Sequence, residues 1–269
     1  MSSGSIDHLG RIVARKRTEV ARRRRRAPLY ERLALAARPS GHDAAAALRR
    51  QPGQPPRVIA EIKLRSPSAG QIRPRRTGEL PVIAEAYAEG GASAVSVLCD
   101  GPGFGGSVLD VARVARRIRP PVLFKEFVLD VVQLDAARAA GATFVLLLVR
   151  VLDDVELTRL IDAARARGLE PVVEAADAAE VQRALGTSAV VIGVNARDLS
   201  NFQVDSAQAA AVIGAIPADR IAVFMSGVRS AADLANVAAT RADAVLIGEG
   251  LMRHERPGDA LRAMLSQLG

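Results

Sequence analysis

Two stretches of sequence decide the fold of this chain: A-E-I-K-L-R-S-P-S at Ala60–Ser68 and L-F-K-E-F at Leu123–Phe127. Each is an apolar run, typical of a buried β-strand, that ends on charged side chains. A strand buried on both faces has no structural use for Glu61, Lys63 or Lys125, because burial of an unpaired charge is strongly unfavourable. Charges at the ends of several strands are typical of an active site at one edge of a parallel sheet.

The pattern around these stretches repeats along the chain. β-rich runs are predicted near residues 57–63, 93–98, 121–125, 143–149, 170–174, 189–194, 221–225 and 243–247. Helical stretches follow them near 79–90, 107–118, 130–140, 153–167, 177–185, 205–215, 230–240 and 257–268. This alternation predicts an α/β fold with parallel strands and crossover helices. Eight units in about 210 residues fit a closed (β/α)8 TIM barrel, and a doubly wound open sheet is the alternative, because sequence does not show closure.

The first part of the chain lies outside this repeat. Helices are predicted there at 5–26, 29–38 and 42–50, the first of them basic and amphipathic. The segment Q-P-G-Q-P-P-R at 51–57 is rich in helix breakers and separates them from the repeat. We therefore predict one domain over 1–269, in which a helical extension at 1–50 covers one end of a barrel at 57–268.

Composition favours a cytoplasmic protein. The chain has 269 residues and is 49% hydrophobic, which is enough for a large core. Cys99 is its one cysteine, which favours a reducing compartment. Residues 1–10 lack the apolar core of a signal peptide, and no apolar run approaches the roughly 20 residues that span a bilayer. We expect a monomer or weak homodimer that does not bind membranes.

Part of the formal charge of +8 comes from five consecutive arginines, Arg22–Arg26. A basic patch of this kind can bind nucleic acid. A solvated helix face is the favoured reading, because only 3% of the residues are aromatic and none lies within the run, so that bases have no platform on which to stack. We expect no nucleic-acid partner.

Polar and charged residues stand at the ends of the predicted strands. Alternation along a strand sends residues i and i+2 to the same side, so Glu61 shares a side with Lys63, and Lys125 with Phe127. With Glu174 at the end of the fifth strand, two lysines and two carboxylates surround one opening, which suits acid–base chemistry. Structural ion pairs at the rim are the alternative for each of them. Other strand ends carry Cys99, Asp100, Arg150, Asn195, Arg197 and Asp198.

The last two strand ends are rich in glycine, and each precedes a helix: S-G-V-R-S at 226–230 and I-G-E-G-L-M at 247–252. Glycine lets backbone N–H groups approach an anion, and a helix N-terminus adds a favourable dipole. These loops are the usual phosphate site of a barrel, so we expect a phosphorylated small-molecule substrate. Ser66 and Lys63 are placed to contact the same phosphate. A metal site has no support from the cysteine and histidine pattern.

Taken in order, these motifs resemble one known family. Indole-3-glycerol phosphate synthase has motifs similar to A-E-I-K-x-x-S-P-S, F-G-G-S (104–107), V-L-F-K-E-F-V, E-P-V-V-E, I-G-V-N-A-R-D-L, S-G-V and L-I-G-E-G-L-M. The likeness runs from about residue 5 to the C-terminus and includes the leading L-x-x-I-V-x-x-K-R-x-E-V helix. It implies a TIM barrel with extra N-terminal helices. It also implies closure of 1-(2-carboxyphenylamino)-1-deoxyribulose 5-phosphate to an indole, with loss of carbon dioxide and water and with no cofactor or metal.

The resemblance further implies roles for individual residues. Lys125 would be the general acid of ring closure, and Lys63 would contact the substrate and donate the proton for loss of hydroxide. Glu174 would be the base or electrostatic partner, Glu61 would orient the lysines, and Asn195 would hold a substrate hydroxyl or carboxylate. Phe104 and Phe127 would pack on the anthranilate ring. The other substrate- and phosphate-binding positions would be Ser66, Arg197, Ser226, Gly227, Gly248 and Glu249.

The chain departs from the family pattern at Met225, where the family usually has the glutamate of E-S-G, and in the loop of Cys99 and G-P-G (101–103). A methionine accepts no proton. A second hypothesis is therefore a paralogue that acts on a related anthranilate-derived or aryl-amine sugar phosphate in specialised metabolism. A third is a regulatory protein that has lost catalysis and uses the Arg22–Arg26 helix on nucleic acid or a partner enzyme.

Overall fold

A computed structural model describes residues 8–37, 43–197 and 205–268. Eight parallel strands form a closed barrel, in which the first strand pairs with both the second and the last. The strands are β1 (Arg57–Ile62), β2 (Ala94–Leu98), β3 (Val122–Lys125), β4 (Phe144–Leu148), β5 (Glu170–Ala175), β6 (Val191–Asn195), β7 (Ile221–Met225) and β8 (Ala244–Ile247). The predicted α/β barrel is confirmed, and the open sheet is wrong.

Helices surround the barrel and precede it. They are α1 (His8–Arg24), α2 (Ala27–Ala36), α3 (Ala44–Leu48), α4 (Glu79–Glu89), α5 (Gly101–Phe104), α6 (Val108–Ala115), α7 (Val131–Ala139), α8 (Asp154–Arg165), α9 (Ala178–Leu185), α10 (Ser206–Gly214), α11 (Ala231–Ala238), α12 (Glu249–Met252) and α13 (Pro257–Ser266). The sequence pattern did not predict α5, α12, the 3-10 turn Val149–Val151 or the small hairpin of Arg65–Ser66 with Gly70–Gln71. All four are too short to show a hydrophobic period.

Side-chain caps fix where many of the helices begin. Asp153, for example, accepts a hydrogen bond at 2.8 Å from the backbone N–H of Glu156 in the first turn of α8. The same type of cap stands before α6, α7, α9, α10 and α11, at Ser107, Asp130, Asp177, Asp205 and Ser230. These caps fix the residue at which each helix begins. They thereby fix the length of the loop that joins each helix to the C-terminal end of the preceding strand.

The strands divide their side chains between two cores. In β7, Ala222 and Phe224 belong to the core between sheet and helices, whereas Val223 and Met225 belong to the barrel interior. The interior is filled by large apolar side chains, Phe144 among them, so the barrel is packed below its C-terminal end. The polar side chains that line the main cavity therefore lie at the C-terminal end.

The prediction that the N-terminal extension covers one end of the barrel is wrong, because its helices contact both ends. α1 lies against the C-terminal ends of β2 and β3, and α2 packs on α7. α3 closes the opposite end: Leu48 joins the interior core, and Arg50 donates to the carbonyl of Ala242 just before β8. The reason is topological, because the chain must pass from α1 at one end of the barrel to the start of β1 at the other.

A buried lysine fastens α1 to the barrel. Lys16 is 1% exposed, and its Nζ lies 3.0 Å from carboxylate oxygens of both Asp100 and Glu126. Burial alone would lower the pKa of Lys16, but the surrounding carboxylates, Glu126 first among them, outweigh it and raise that pKa. Burial would likewise raise the pKa of Asp100, which Lys16 holds below its ordinary value. The lysine is thus held as an ammonium between the ends of β2 and β3.

Two arginines of the predicted solvated run also dock on the barrel. Arg24 forms an ion pair with Asp130, the cap of α7, and Arg23 approaches Glu126 at 4.0 Å. Arg22, Arg25 and Arg26 are exposed. Among the described helices, none is both long and apolar enough to cross a membrane.

We expect Lys16→Met to lower the free energy of unfolding by about 3 kcal/mol, because the buried carboxylate of Glu126 loses its close cation, while Asp100 keeps Arg15 at 2.9 Å. Arg17→Met is the matched control, since Arg17 is exposed on the same helix, and should change stability by less than about 0.5 kcal/mol. Urea unfolding followed by circular dichroism measures both. If the two variants are equally stable, Lys16 does not fasten the helix.

Candidate active site

The end of β1 carries the first ion pair of the site. Glu61 and Lys63 point to the same side, as predicted, and Lys63 Nζ lies 3.1 Å from Glu61 Oε1. Glu61 is 3% exposed, and Ser96 Oγ on β2 donates to its second carboxylate oxygen at 3.4 Å. The carboxylate is therefore held from two strands, and the ammonium of Lys63 faces the opening.

A second ion pair crosses the mouth of the barrel. Lys125 Nζ at the end of β3 lies 3.0 Å from Glu174 Oε2 at the end of β5. Asn195 Nδ2 at the end of β6 donates to Glu174 Oε1 at 2.8 Å. Both oxygens of this nearly buried carboxylate are thus engaged, and the lysine is held in one direction by residues from three strands.

Both pairs line one cavity of about 910 Å³, including its open mouth. All thirteen residues proposed from the sequence line this cavity: Glu61, Lys63, Ser66, Phe104, Lys125, Phe127, Glu174, Asn195, Arg197, Ser226, Gly227, Gly248 and Glu249. Leucines from the barrel form its apolar part: Leu98, Leu146, Leu148 and Leu246. Asp198, the next residue of the same motif, lies outside the described residues. The structure thus brings the proposed residues together, while their individual roles stay predictions.

Two phenylalanines form an aromatic wall. The ring centroids of Phe104 and Phe127 lie 6.2 Å apart at an interplanar angle of 39°. Gln133 in α7 is fully buried and donates to the carbonyl of Phe127 at 2.8 Å. Phe104 ends α5, whose cap is Asp100, so both rings are anchored next to the carboxylates that hold Lys16.

The opposite side of the cavity offers backbone N–H groups. Ser226 and Gly227 both have positive φ, +71° and +88°, which turns the chain sharply after β7. The N–H groups of Gly227 and Gly248 donate to no acceptor within the described part of the chain. Unsatisfied N–H groups at this place suit an anionic group of a ligand.

Charged side chains flank these N–H groups. The carboxylate of Glu249 accepts two hydrogen bonds from Arg253, at 3.0 and 2.8 Å. Burial would raise the pKa of Glu249, but Arg253 outweighs it and lowers that pKa. Arg197 is partly buried, and burial lowers its pKa. Both hydrogen bonds to Glu249 go to its Oε1, and the positive charges of Arg229 and Lys63 also lower the pKa of this carboxylate.

Glycine is required at the eighth strand end. A Cβ at Gly248 would lie 2.6 Å from Glu61 Oε1 and 3.2 Å from Glu61 Cβ. The carboxylate that holds Lys63 therefore fills the space that any side chain at Gly248 would need. No group of histidine, cysteine or acidic residues within 8–37, 43–197 and 205–268 has the arrangement of a metal site.

These features agree with what comparison of the whole chain finds. The sequence profile of indole-3-glycerol phosphate synthase matches residues 9–264. The chain belongs to the indole-3-glycerol phosphate synthase family. The family's enzymes are carboxy-lyases of tryptophan biosynthesis. The resemblance inferred from the motifs is thereby confirmed.

Individual relatives and structures support this assignment. Indole-3-glycerol phosphate synthase of Micrococcus luteus is 42% identical over 262 residues, 95% of this chain and 96% of the relative. Indole-3-glycerol phosphate synthase 2 of Streptomyces coelicolor is 45% identical over 262 residues, 96% and 98% of the two chains. A crystal structure of 3-hexulose-6-phosphate synthase has a TM-score of 0.62 at 18% identity, over 79% of this chain and all of that one. At that identity it supports the barrel fold alone.

Met225 is the chain's clearest departure from the family motif. It stands between Asn195 and Leu246 in the strand register, at the layer of the ion pairs, and is 1% exposed. Its sulfur packs on Gly193, where a Cβ would collide with it. The side chain lies beneath the cavity and does not line it. The group directly beneath the cavity is therefore apolar here, at a position where the family usually has a carboxylate.

Sequence reasoning placed Asp100 and Glu126 at strand ends but missed Lys16 and its contacts with both of them. A signal for Lys16 was nevertheless present in the composition. Of the 37 lysine and arginine residues only three are lysines, namely Lys16, Lys63 and Lys125. Arginine is a larger, planar cation that always keeps its proton, so it cannot replace a compact ammonium in a tight or reactive place. In so arginine-rich a chain, each retained lysine indicates such a place.

We expect Gly248→Ala to displace Glu61 and with it Lys63, and to lower kcat/KM for the family's substrate by roughly tenfold or more, since shifts of about 1 Å can cost 10²-fold. Gly214→Ala is the control, because a Cβ there meets nothing within 4 Å. It should leave turnover unchanged. Equal kinetics for the two variants would show that Gly248 does not set the position of Glu61.

Proposed function

We propose that this chain is an indole-3-glycerol phosphate synthase, which closes the indole ring of 1-(2-carboxyphenylamino)-1-deoxyribulose 5-phosphate with loss of carbon dioxide and water. The observation that carries the proposal is the pair of lysine–carboxylate contacts, at 3.1 and 3.0 Å, on one cavity with unsatisfied N–H groups at its far side. A substrate that is anionic at both ends suits such a cavity, and a cyclisation followed by a dehydration needs both acid and base.

In the first step, Lys125 donates its proton to the substrate's ketone oxygen while the ring carbon that bears the carboxylate attacks the ketone carbon. The new carbon–carbon bond closes the ring, the carboxylate leaves as carbon dioxide, and its electron pair restores the aromatic ring. Glu174 holds the lysine in place for this transfer, and Asn195 fixes the carboxylate of Glu174. The wall of Phe104 and Phe127 supports the anthranilate ring.

In the second step, Lys63 donates a proton to the hydroxyl group that the first step created, and water leaves. Lys125 is neutral after the first step, so its partner Glu174 can act as a base. Glu174 takes the proton from the neighbouring ring carbon, and a carbon–carbon double bond forms that completes the indole. Glu61 positions Lys63 for this role. The two steps together consume one proton, as replacement of a carboxylate by carbon dioxide requires.

We also infer the setting in which the enzyme works. Its partner is a phosphorylated small-molecule substrate, and it works in the cytoplasm, where the precursors of tryptophan are found. The docking of Arg23 and Arg24 onto barrel carboxylates gives part of the arginine run a structural use and so supports a role without nucleic acid. A monomer or weak homodimer is the assembly we propose.

The proposal is tested by the fluorescence of the indole product. Lys125→Ala should lower kcat by at least about 10²-fold, the low end of the contribution of a positioned acid, and leave the fold intact. Arg159→Ala is the control, because Arg159 is exposed on α8 and does not line the cavity. A loss below tenfold would mean that Lys125 is not the acid. No turnover by folded wild-type protein would exclude the activity itself.

A second candidate rests on Met225. A paralogue that acts on a related anthranilate-derived or aryl-amine sugar phosphate would have no need of the family's carboxylate at this position. The apolar contact between Met225 and Gly193 favours this candidate, since the layer directly beneath the cavity is then apolar, unlike that of the family.

Met225→Glu distinguishes the two candidates. If the chain is a paralogue, Met225→Glu should shift its substrate preference toward the family's substrate. The preference is measured as the ratio of kcat/KM for that substrate to kcat/KM for analogues with altered aryl groups. If the chain is an ordinary synthase, the ratio should stay constant while turnover of the family's substrate stays or rises. Leu109→Glu is the control, because Leu109 is exposed, whereas Met252 is buried in the outer core and unsuitable. Leu109→Glu should change neither the ratio of kcat/KM values nor the turnover of the family's substrate.

A further inference from the structure

One cation of the cavity, that of the exposed residue Arg229, has no carboxylate of a described residue within ion-pair distance, although its charge acts on Asp233 and Glu249. Arg229 lines the cavity from the loop after β7, and its guanidinium makes no hydrogen bond or ion pair with any described residue. The two lysines of the same cavity are each bound to a carboxylate at close to 3 Å. Arg229 also has no place in the roles assigned so far, so its charge needs another explanation.

The backbone that carries Arg229 is fixed. The N–H groups of Arg229 and Ser230 both donate at 2.9 Å to Asp233 Oδ2, in the first turn of α11. On the other side, a Cβ at Gly250 would lie 2.7 Å from Arg229 Cα, so α12 touches this loop closely. The start of the side chain is therefore anchored, and only its guanidinium end is unconstrained.

The surroundings of Arg229 call for an anion. Burial lowers the pKa of Arg197, the carboxylate of Glu249 raises it, and the positive charge of Arg229 lowers it, so two cations and one carboxylate face the same end of the cavity. Arg253 donates both of its hydrogen bonds to one oxygen of that carboxylate, Oε1. The N–H groups of Gly227 and Gly248 add donors without acceptors. Donors and positive charge exceed acceptors here, which favours a dianionic group.

We propose that Arg229 binds the phosphate group of the substrate directly and gives the site its preference for phosphorylated over unphosphorylated compounds. The inference rests on the proposed function for the identity of the substrate, but the anion site itself does not. A guanidinium can form two parallel hydrogen bonds to a phosphate, which a lysine cannot, and Arg229 lines the same cavity as Gly227 and Gly248. Arg229 thereby determines affinity and specificity and takes no part in the chemical steps.

Arg229→Gln tests the proposal, with Arg256→Gln as the control for loss of a positive charge. Arg256 has an 84% exposed side chain and does not line the cavity. In Arg229→Gln, KM for the phosphorylated substrate and the dissociation constant of inorganic phosphate, measured by calorimetry, should both rise by about tenfold or more, as for the loss of a charged hydrogen bond. The value of kcat should change by less than about threefold, because the interaction is the same in ground and transition states. Arg229→Lys should restore part of the affinity, and Arg256→Gln should leave both constants unchanged.

The outcomes separate this inference from the proposed function. If the wild type turns over the substrate and both glutamine variants have its KM and its affinity for phosphate, Arg229 is not a phosphate ligand and the proposed function stands. If the wild type binds inorganic phosphate without turnover and only Arg229→Gln weakens binding, the proposed function fails and the role of Arg229 stands. A fall in kcat with constant KM would overturn the inference, because it would place Arg229 in the chemistry.

Discussion

The two-residue period of a β-strand, imposed on a sheet that closes on itself, determines where every part of this site lies. Closure brings eight strand ends to one rim, and the period decides which side chain at each end faces inward. The side chains of Lys125 and Phe127 line the cavity for this reason, whereas the carboxylate of Glu126 between them, which also borders the cavity, binds Lys16 of α1. A shift of register by one residue would exchange these sets and place a carboxylate where Lys125 stands. The chemistry thus depends on backbone pairing before it depends on any contact between side chains.

The same alternation couples the inside of the barrel to its outside. Glu126 and Asp100 bind Lys16 on the outer surface, and their neighbours in sequence, Phe127 and the helix of Phe104, form the aromatic wall. The N-terminal helix therefore supports one side of the cavity without entering it. On the other side the loops after β7 and β8 pack closely at Gly250, and the anion site that we propose is formed by these two loops.

Much of this arrangement could be predicted from the sequence, and the exceptions have physical causes. The strands were predicted within a few residues because apolar runs of suitable length stand between breakers and capping residues. Glu61, Lys63 and Lys125 were predicted because a charge at the end of a buried strand is costly unless it has a use. Phe104, Asn195 and most other site residues, in contrast, came from the resemblance to the family. The course of the extension, the contacts of Lys16 and the packing of Met225 on Gly193 could not be predicted, since each joins residues that are far apart in the chain and leaves no local pattern. Helices as short as α5 and α12 escape for the related reason that they contain barely one turn.

The scarcity of lysine has a practical consequence. A reagent that acylates primary amines finds, apart from the chain's own terminus, one ammonium enclosed beneath α1 and two within the cavity. Modification of the folded protein is therefore confined to the place where a ligand would sit, whereas in most proteins such labels scatter over the surface. Mass spectrometry of the acylated chain would thus report occupancy of the cavity directly, by the protection that a bound molecule gives to Lys63 and Lys125.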